Sequence, residues 1–137
     1  MRSMHRVVFL VVLGLGLLNI ACASRPASPA EKDQLLQRAQ TLWEAKVNSQ
    51  WGTFYDLTTA EYRRHVTREE FLKSSFLKIE SFEILSADIA PPGDTAKVSV
   101  AFKMYKDGFE FSPKIKDTWL REGGQWYYQP PMVPTGK

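Results

Sequence analysis

The chain changes its hydrophobic rhythm once, at Lys78, and that change restricts it to a small set of folds. From Ala30 to Asn48, Leu35, Leu36, Ala39, Leu42, Trp43 and Val47 recur every three or four places. Such spacing lays an apolar stripe along one face of a helix, leaving Glu31, Lys32, Gln37, Arg38, Gln40 and Glu44 to water. Pro29 stands just ahead as a start signal. After a break at Ser49 to Gly52, Trp51, Phe54, Tyr55 and Leu57 predict a short aromatic helical piece. Thr58-x-x-Glu61 and Thr67-x-x-Glu70 each have the form of a capping box, a hydroxyl followed three residues later by a carboxylate. They predict short helices at about 59–64 and 68–76, with Tyr62, Phe71, Leu72 and Phe76 inward.

Beyond Lys78 the period is two. Glu80 to Ile89 reads as a strand whose core face is Phe82 and Ile84 or Leu85 and Ile89, depending on register. Pro91-Pro92-Gly93-Asp94 makes a turn. Ala96, Val98, Val100, Phe102 and Met104 then alternate with Lys97, Ser99, Ala101 and Lys103, the clearest strand in the chain. Asp107-Gly108 signals a hairpin, and the next strand carries Phe109, Phe111, Ile115 and Trp119, with Pro113 marking a bulge or edge. Gly123-Gly124 turns the chain again into a last strand, Gln125 to Gln129.

Helices followed by an antiparallel meander define an α+β domain, with N-terminal helices packed on a curved sheet of about four strands. A single domain at 30–130 is expected, with a flexible tail at 131–137.

The first residues stand apart from that domain. Arg2 and Arg6 give a positive start, and Val7 to Leu18 is an apolar run broken only by Gly14 and Gly16. A bilayer-spanning helix takes about 20 apolar residues, and this run is shorter, as the core of an export signal is. Residues 1–21 therefore read as a signal peptide, and 22–29, rich in Ala, Ser and Pro, as a flexible linker. Cutting before Cys22 leaves 116 of the 137 residues and lowers the formal net charge from +3 to +1. The concentrated basic face of a nucleic-acid binder is then not expected.

Leu18-Asn19-Ile20-Ala21-Cys22 resembles the lipobox of bacterial lipoproteins, in which a small residue precedes a lipid-modified cysteine. Asn19 stands where that family has Leu. The resemblance implies a diacylglycerol- and palmitate-bearing anchor on Cys22. With Ala23 rather than Asp next in line, it implies a place on the outer membrane facing the periplasm rather than on the inner membrane. Ala21-Cys22-Ala23 also fits ordinary signal peptidase, which would give a secreted or soluble periplasmic protein. Cys22 is the only cysteine, so it makes no internal disulfide.

Three stretches together resemble the nuclear-transport-factor-two-like superfamily, a cystatin-like cone. They are the aromatic first helices, Tyr62 with Thr67 to Phe71, and the ending Asp117 to Tyr128. The resemblance implies a pocket between sheet and helices, in a superfamily of isomerases, dehydratases, dimerising modules and inert binding domains. Fold alone therefore does not select function.

Candidate chemistry is sparse. His65, between Arg64 and a helix start, reads either as a proton-transfer group at a pocket mouth or as a solvated loop histidine. Asp56 reads as a pocket carboxylate hydrogen-bonded by Tyr55 or Tyr62, or as a helix-end residue. Asp117 reads alternatively as a partner of Lys116 or Arg121 at a sheet edge. Trp51, Tyr55, Tyr62 and Trp119 are the candidates to line a ligand pocket. No metal set is expected from His65, the one histidine beyond the expected signal peptide, and a single lipid-bearing cysteine, and no cofactor from the motifs present. The expected function is a lipid-anchored envelope domain binding a small apolar ligand or an envelope protein. The alternatives are a proton-transfer enzyme of the same fold and a homodimerising module.

Overall fold

A computed structural model describes residues 25–74 and 76–131. Helix α1 spans Pro29–Val47, followed by three short helices: α2 at Trp51–Asp56, α3 at Ala60–His65 and α4 at Arg68–Leu72. The strands are β1 at Ile79–Ala90, β2 at Thr95–Lys106, β3 at Phe109–Phe111, β4 at Lys114–Glu122 and β5 at Gln125–Gln129. All pair antiparallel in the order β1-β2-β4-β5, with β3 also on β2, so the α+β expectation holds with a curved sheet of five strands.

The fifth strand comes from one interruption. The stretch expected as a single strand stops after Phe111 and resumes at Lys114, with Pro113 in the gap. The Pro113 carbonyl still accepts from the Phe102 amide at 3.1 Å, so β3 and β4 both lie along β2. Asp107 (φ 54°) and Gly108 (φ 83°) make one two-residue hairpin, and Gly123 (φ 56°) and Gly124 (φ 83°) another. Two consecutive left-handed residues give the backbone twist that matches the flanking strands.

Three of the four helix starts, those of α1, α3 and α4, are capped by side chains, one differently from expectation. Ser28 and Glu31 form a reciprocal capping box at α1, a signal standing beside Pro29. Thr67 and Glu70 do the same at α4, which ends at Leu72 rather than continuing to 76. At α3 the cap is Thr59, one residue later than the spacing suggested, and its hydroxyl accepts from the Tyr62 amide. Thr58 is buried and donates instead to the Tyr55 carbonyl at 2.7 Å. Residues 57–59 run beside β5, with the Thr59 amide on the Tyr128 carbonyl and the Tyr128 amide on Leu57. They cover that exposed strand edge.

Between sheet and helices lies the core. Leu35, Ala39, Leu42 and Trp43 of α1 are buried together with Val98 and Val100 of β2, Trp119 of β4 and Trp126 of β5. In β1 the register shifts twice, near Ile79 and near Ile84. Each shift moves the inward phase by one residue, so Ile79, Phe82, Ile84, Ala87 and Ile89 turn inward while Leu85 is left exposed. No helix among the described residues is long and apolar enough to cross a membrane, which says nothing of strands.

Candidate functional site

A groove of about 250 Å³ opens where the C-terminal end of α1 and the start of α2 meet the sheet. Trp51 and Phe76 stack along one side, ring centres 3.9 Å apart and planes within 14°. Phe54, Ile79, Phe102 and Ile115 supply more apolar wall, and Leu77 and Ile115 are exposed at its lip. The two widest of the other depressions, of about 570 and about 470 Å³, differ in character. The first lies among Glu61, Arg64 and Glu122, a charged and solvated surface. The second follows β4 past Lys116 and Thr118 to Pro131. A mostly apolar concavity with few polar groups is the usual form of a small-molecule site, and only the aromatic groove of these three has it.

Among the described residues one charged side chain lines the groove, Lys46 in the last turn of α1. Its ammonium lies 3.8 Å from the centre of the Trp43 ring, 5.2 Å from that of Phe54 and 5.4 Å from that of Tyr128. Burial lowers its pKa, partly opposed by the charge of Asp117. At the edge of the same ring, the indole N–H of Trp43 donates to Asp117 Oδ2 at 2.8 Å. Asp117 is 2% exposed. Burial raises its pKa, while Lys46 and the Trp43 hydrogen bond pull the other way. Asp117 is thus no edge residue paired with Lys116 or Arg121. Arg121 instead bonds Glu31 at 2.7 Å, tying the start of α1 to β4.

The residues singled out from sequence scatter across the fold. Trp51 lines the groove. Tyr55 is buried beside it, its hydroxyl donating to the Val66 carbonyl at 2.8 Å. Tyr62 is half-buried with its ring edge-on to Phe71, and Trp119 is fully buried in the core; neither lines the groove. Asp56 is exposed and 3.6 Å from Arg68. His65 is exposed and 3.6 Å from Glu61. Neither faces the groove, so no proton-transfer group from that pair stands where an apolar substrate would lie. Cys22 lies outside the described residues. Among the described residues no three His, Cys, Asp or Glu side chains come together as a metal site. Lys46 went unnoticed because it reads as one more polar residue at a helix end, where cations are common.

No family model matches the chain, and no curated protein is similar to it. Solved structures are. A SEC-C motif containing protein from Psychrobacter arcticus superposes with a TM-score of 0.61 at 12% identity, over 77% of this chain and 64% of its own. The chain thus spans less than two thirds of that protein. A SEC-C motif containing protein from Rhodopseudomonas palustris gives 0.56 at 16% identity, over 77% of this chain and 79% of its own. At such identities the likeness shows fold alone.

These neighbours correct one expectation. They are SEC-C motif containing proteins, not proteins described as nuclear-transport-factor-two-like, and nothing matched supports reading the chain as a lipoprotein with that domain. The residues behind the resemblance have local explanations. Thr67 to Phe71 is a capping box with one buried aromatic, and the Gly-Gly ending is a tight hairpin between Trp-bearing strands. Both devices recur wherever a short helix or a two-residue turn is needed.

Proposed function

We propose that the chain is a cell-envelope binding domain that takes a small apolar ligand in the groove between α1, α2 and the sheet. The carrying observation is the half-buried Trp51–Phe76 stack over a wall of Phe54, Ile79 and Phe102, with Leu77 and Ile115 exposed at the lip. A folded chain ordinarily keeps large apolar side chains covered, and a contiguous, partly open apolar concavity marks a place of contact. The size favours a small molecule or part of an alkyl chain, since about 250 Å³ lies below the ~300–1,000 Å³ usual for drug-sized ligands. The envelope assignment rests on the residues themselves: the short apolar run Val7 to Leu18 and the thiol of Cys22 after it, acylated so as to hold the domain at the membrane.

Nile red, a neutral apolar dye, tests the groove. Its fluorescence rises on titration with the wild type, and the rise is lost in Trp51→Ala with the fold retained by circular dichroism. A dye response equal in the two proteins removes the reading. Radiolabelled palmitate tests the anchor: wild type labels in cells and Cys22→Ala does not.

A further inference from the structure

An apolar groove needs no cation, yet this one has Lys46 in its lining. Among the described residues no carboxylate or hydrogen-bond acceptor sits against that ammonium. Asp117 acts on it only through space and is not part of the lining. Trp43 touches both, its ring face under the lysine and its N–H toward the carboxylate. The aromatic faces steady the ammonium from below but offer it no oxygen. From the groove, then, the molecule presents aromatic wall and one positive charge.

We infer that the ligand is an anionic amphiphile, an alkyl carboxylate whose head meets Lys46 and whose chain lies along Trp51, Phe76 and Phe102. The reading rests on the groove being the binding site. Charge complementarity selects the head: a carboxylate gives the ammonium an acceptor that no described residue supplies, an alcohol gives a weaker one, and a quaternary ammonium repels it. The tail follows from the lining. Beyond the groove lip the same sheet face continues through Ile115 and Phe111, which sits opposite Met104, so a longer chain runs on over apolar surface.

Decanoate, 1-decanol and decyltrimethylammonium share one tail and differ in the head, and each is titrated into the wild type, Lys46→Met and Lys46→Arg while displacing Nile red. Decanoate is expected to bind the wild type about tenfold more tightly than decanol, with the ammonium weakest. Lys46→Met brings decanoate down to the affinity of decanol, and Lys46→Arg keeps the preference. Equal affinity of acid and alcohol for the wild type overturns the head assignment even if Lys46→Met fails to fold, while leaving the groove intact. Nile red binding with no displacement by any amphiphile overturns it too. Failure of Nile red itself removes the groove reading and this one together. A doubled mass by light scattering with no decanoate binding assigns the groove to a second copy of the chain and ends the proposal.

Discussion

Trp43 and Asp117, 74 positions apart, are joined by a 2.8 Å hydrogen bond between α1 and β4 inside the core. The bond fixes the helix on the sheet and leaves the ring face of Trp43 free for Lys46. Trp43→Phe removes the only protein donor to a buried carboxylate among the described residues. It should cost about 2–4 kcal/mol in urea unfolding at neutral pH. In an Asp117→Asn background the same change should cost less, because a neutral amide loses less when its donor goes. A double-mutant cycle with coupling below roughly 0.3 kcal/mol would refute the linkage.

Asp117 also sets a pH dependence. Its folded pKa is raised above 3.8 by burial, so the folded state favours the protonated acid. The stability tied to that proton is full below about pH 3.8 and falls as pH rises through the higher folded value. Asp117→Asn carries no such proton. Wild type minus variant, measured by urea unfolding across this range, should decline as pH rises above 3.8. A flat difference would count against a buried, titrating carboxylate.

Much of this fold was written locally. The change of period at Lys78, both hairpin turns and the Thr67 cap follow from neighbours a few residues apart. What escaped was non-local or depended on phase. The two shifts in β1 break alternation, so no single register placed Phe82, Ala87 and Ile89 on one face. Thr58 and Thr59 offer the same hydroxyl, and it is the pairing of 57–59 with Tyr128 that decides which one caps. Lys46 and Asp117 look like polar residues of a helix end and a strand. Their burial exists only once α1 lies on β4, so neither the charge lining the groove nor the buried acid behind it had a signature within the sequence.

Glu31 should make the opposite pH signature to Asp117. Hydrogen bonds from the Ser28 backbone, from Arg121 and from the Ser28 hydroxyl hold its pKa down from 4.5 to about 2. A depressed carboxylate contributes stability that is present above the unfolded value and lost as pH falls through the folded one. Wild type should therefore exceed Glu31→Gln in stability at neutral pH. The gap should shrink from about pH 4.5 and close near pH 2, read by thermal unfolding at each pH. A constant gap would mean that packing or helix propensity, not the charge, is what the substitution removes.

Gly124 isolates a purely conformational effect. Its φ of 83° is one that side chains rarely adopt, yet a Cβ added there meets nothing within 4 Å. Gly124→Ala should lower stability by about 1 kcal/mol through backbone strain alone, since no contact is gained or lost. Gly123→Asn, at φ 56°, should cost less, because Asn tolerates the left-handed region better than other side chains. Denaturant midpoints of the two variants give the comparison. A larger loss in Gly123→Asn than in Gly124→Ala would show that the β4–β5 turn does not take the doubly left-handed form, and the register joining Arg121 to Trp126 would have to be redrawn.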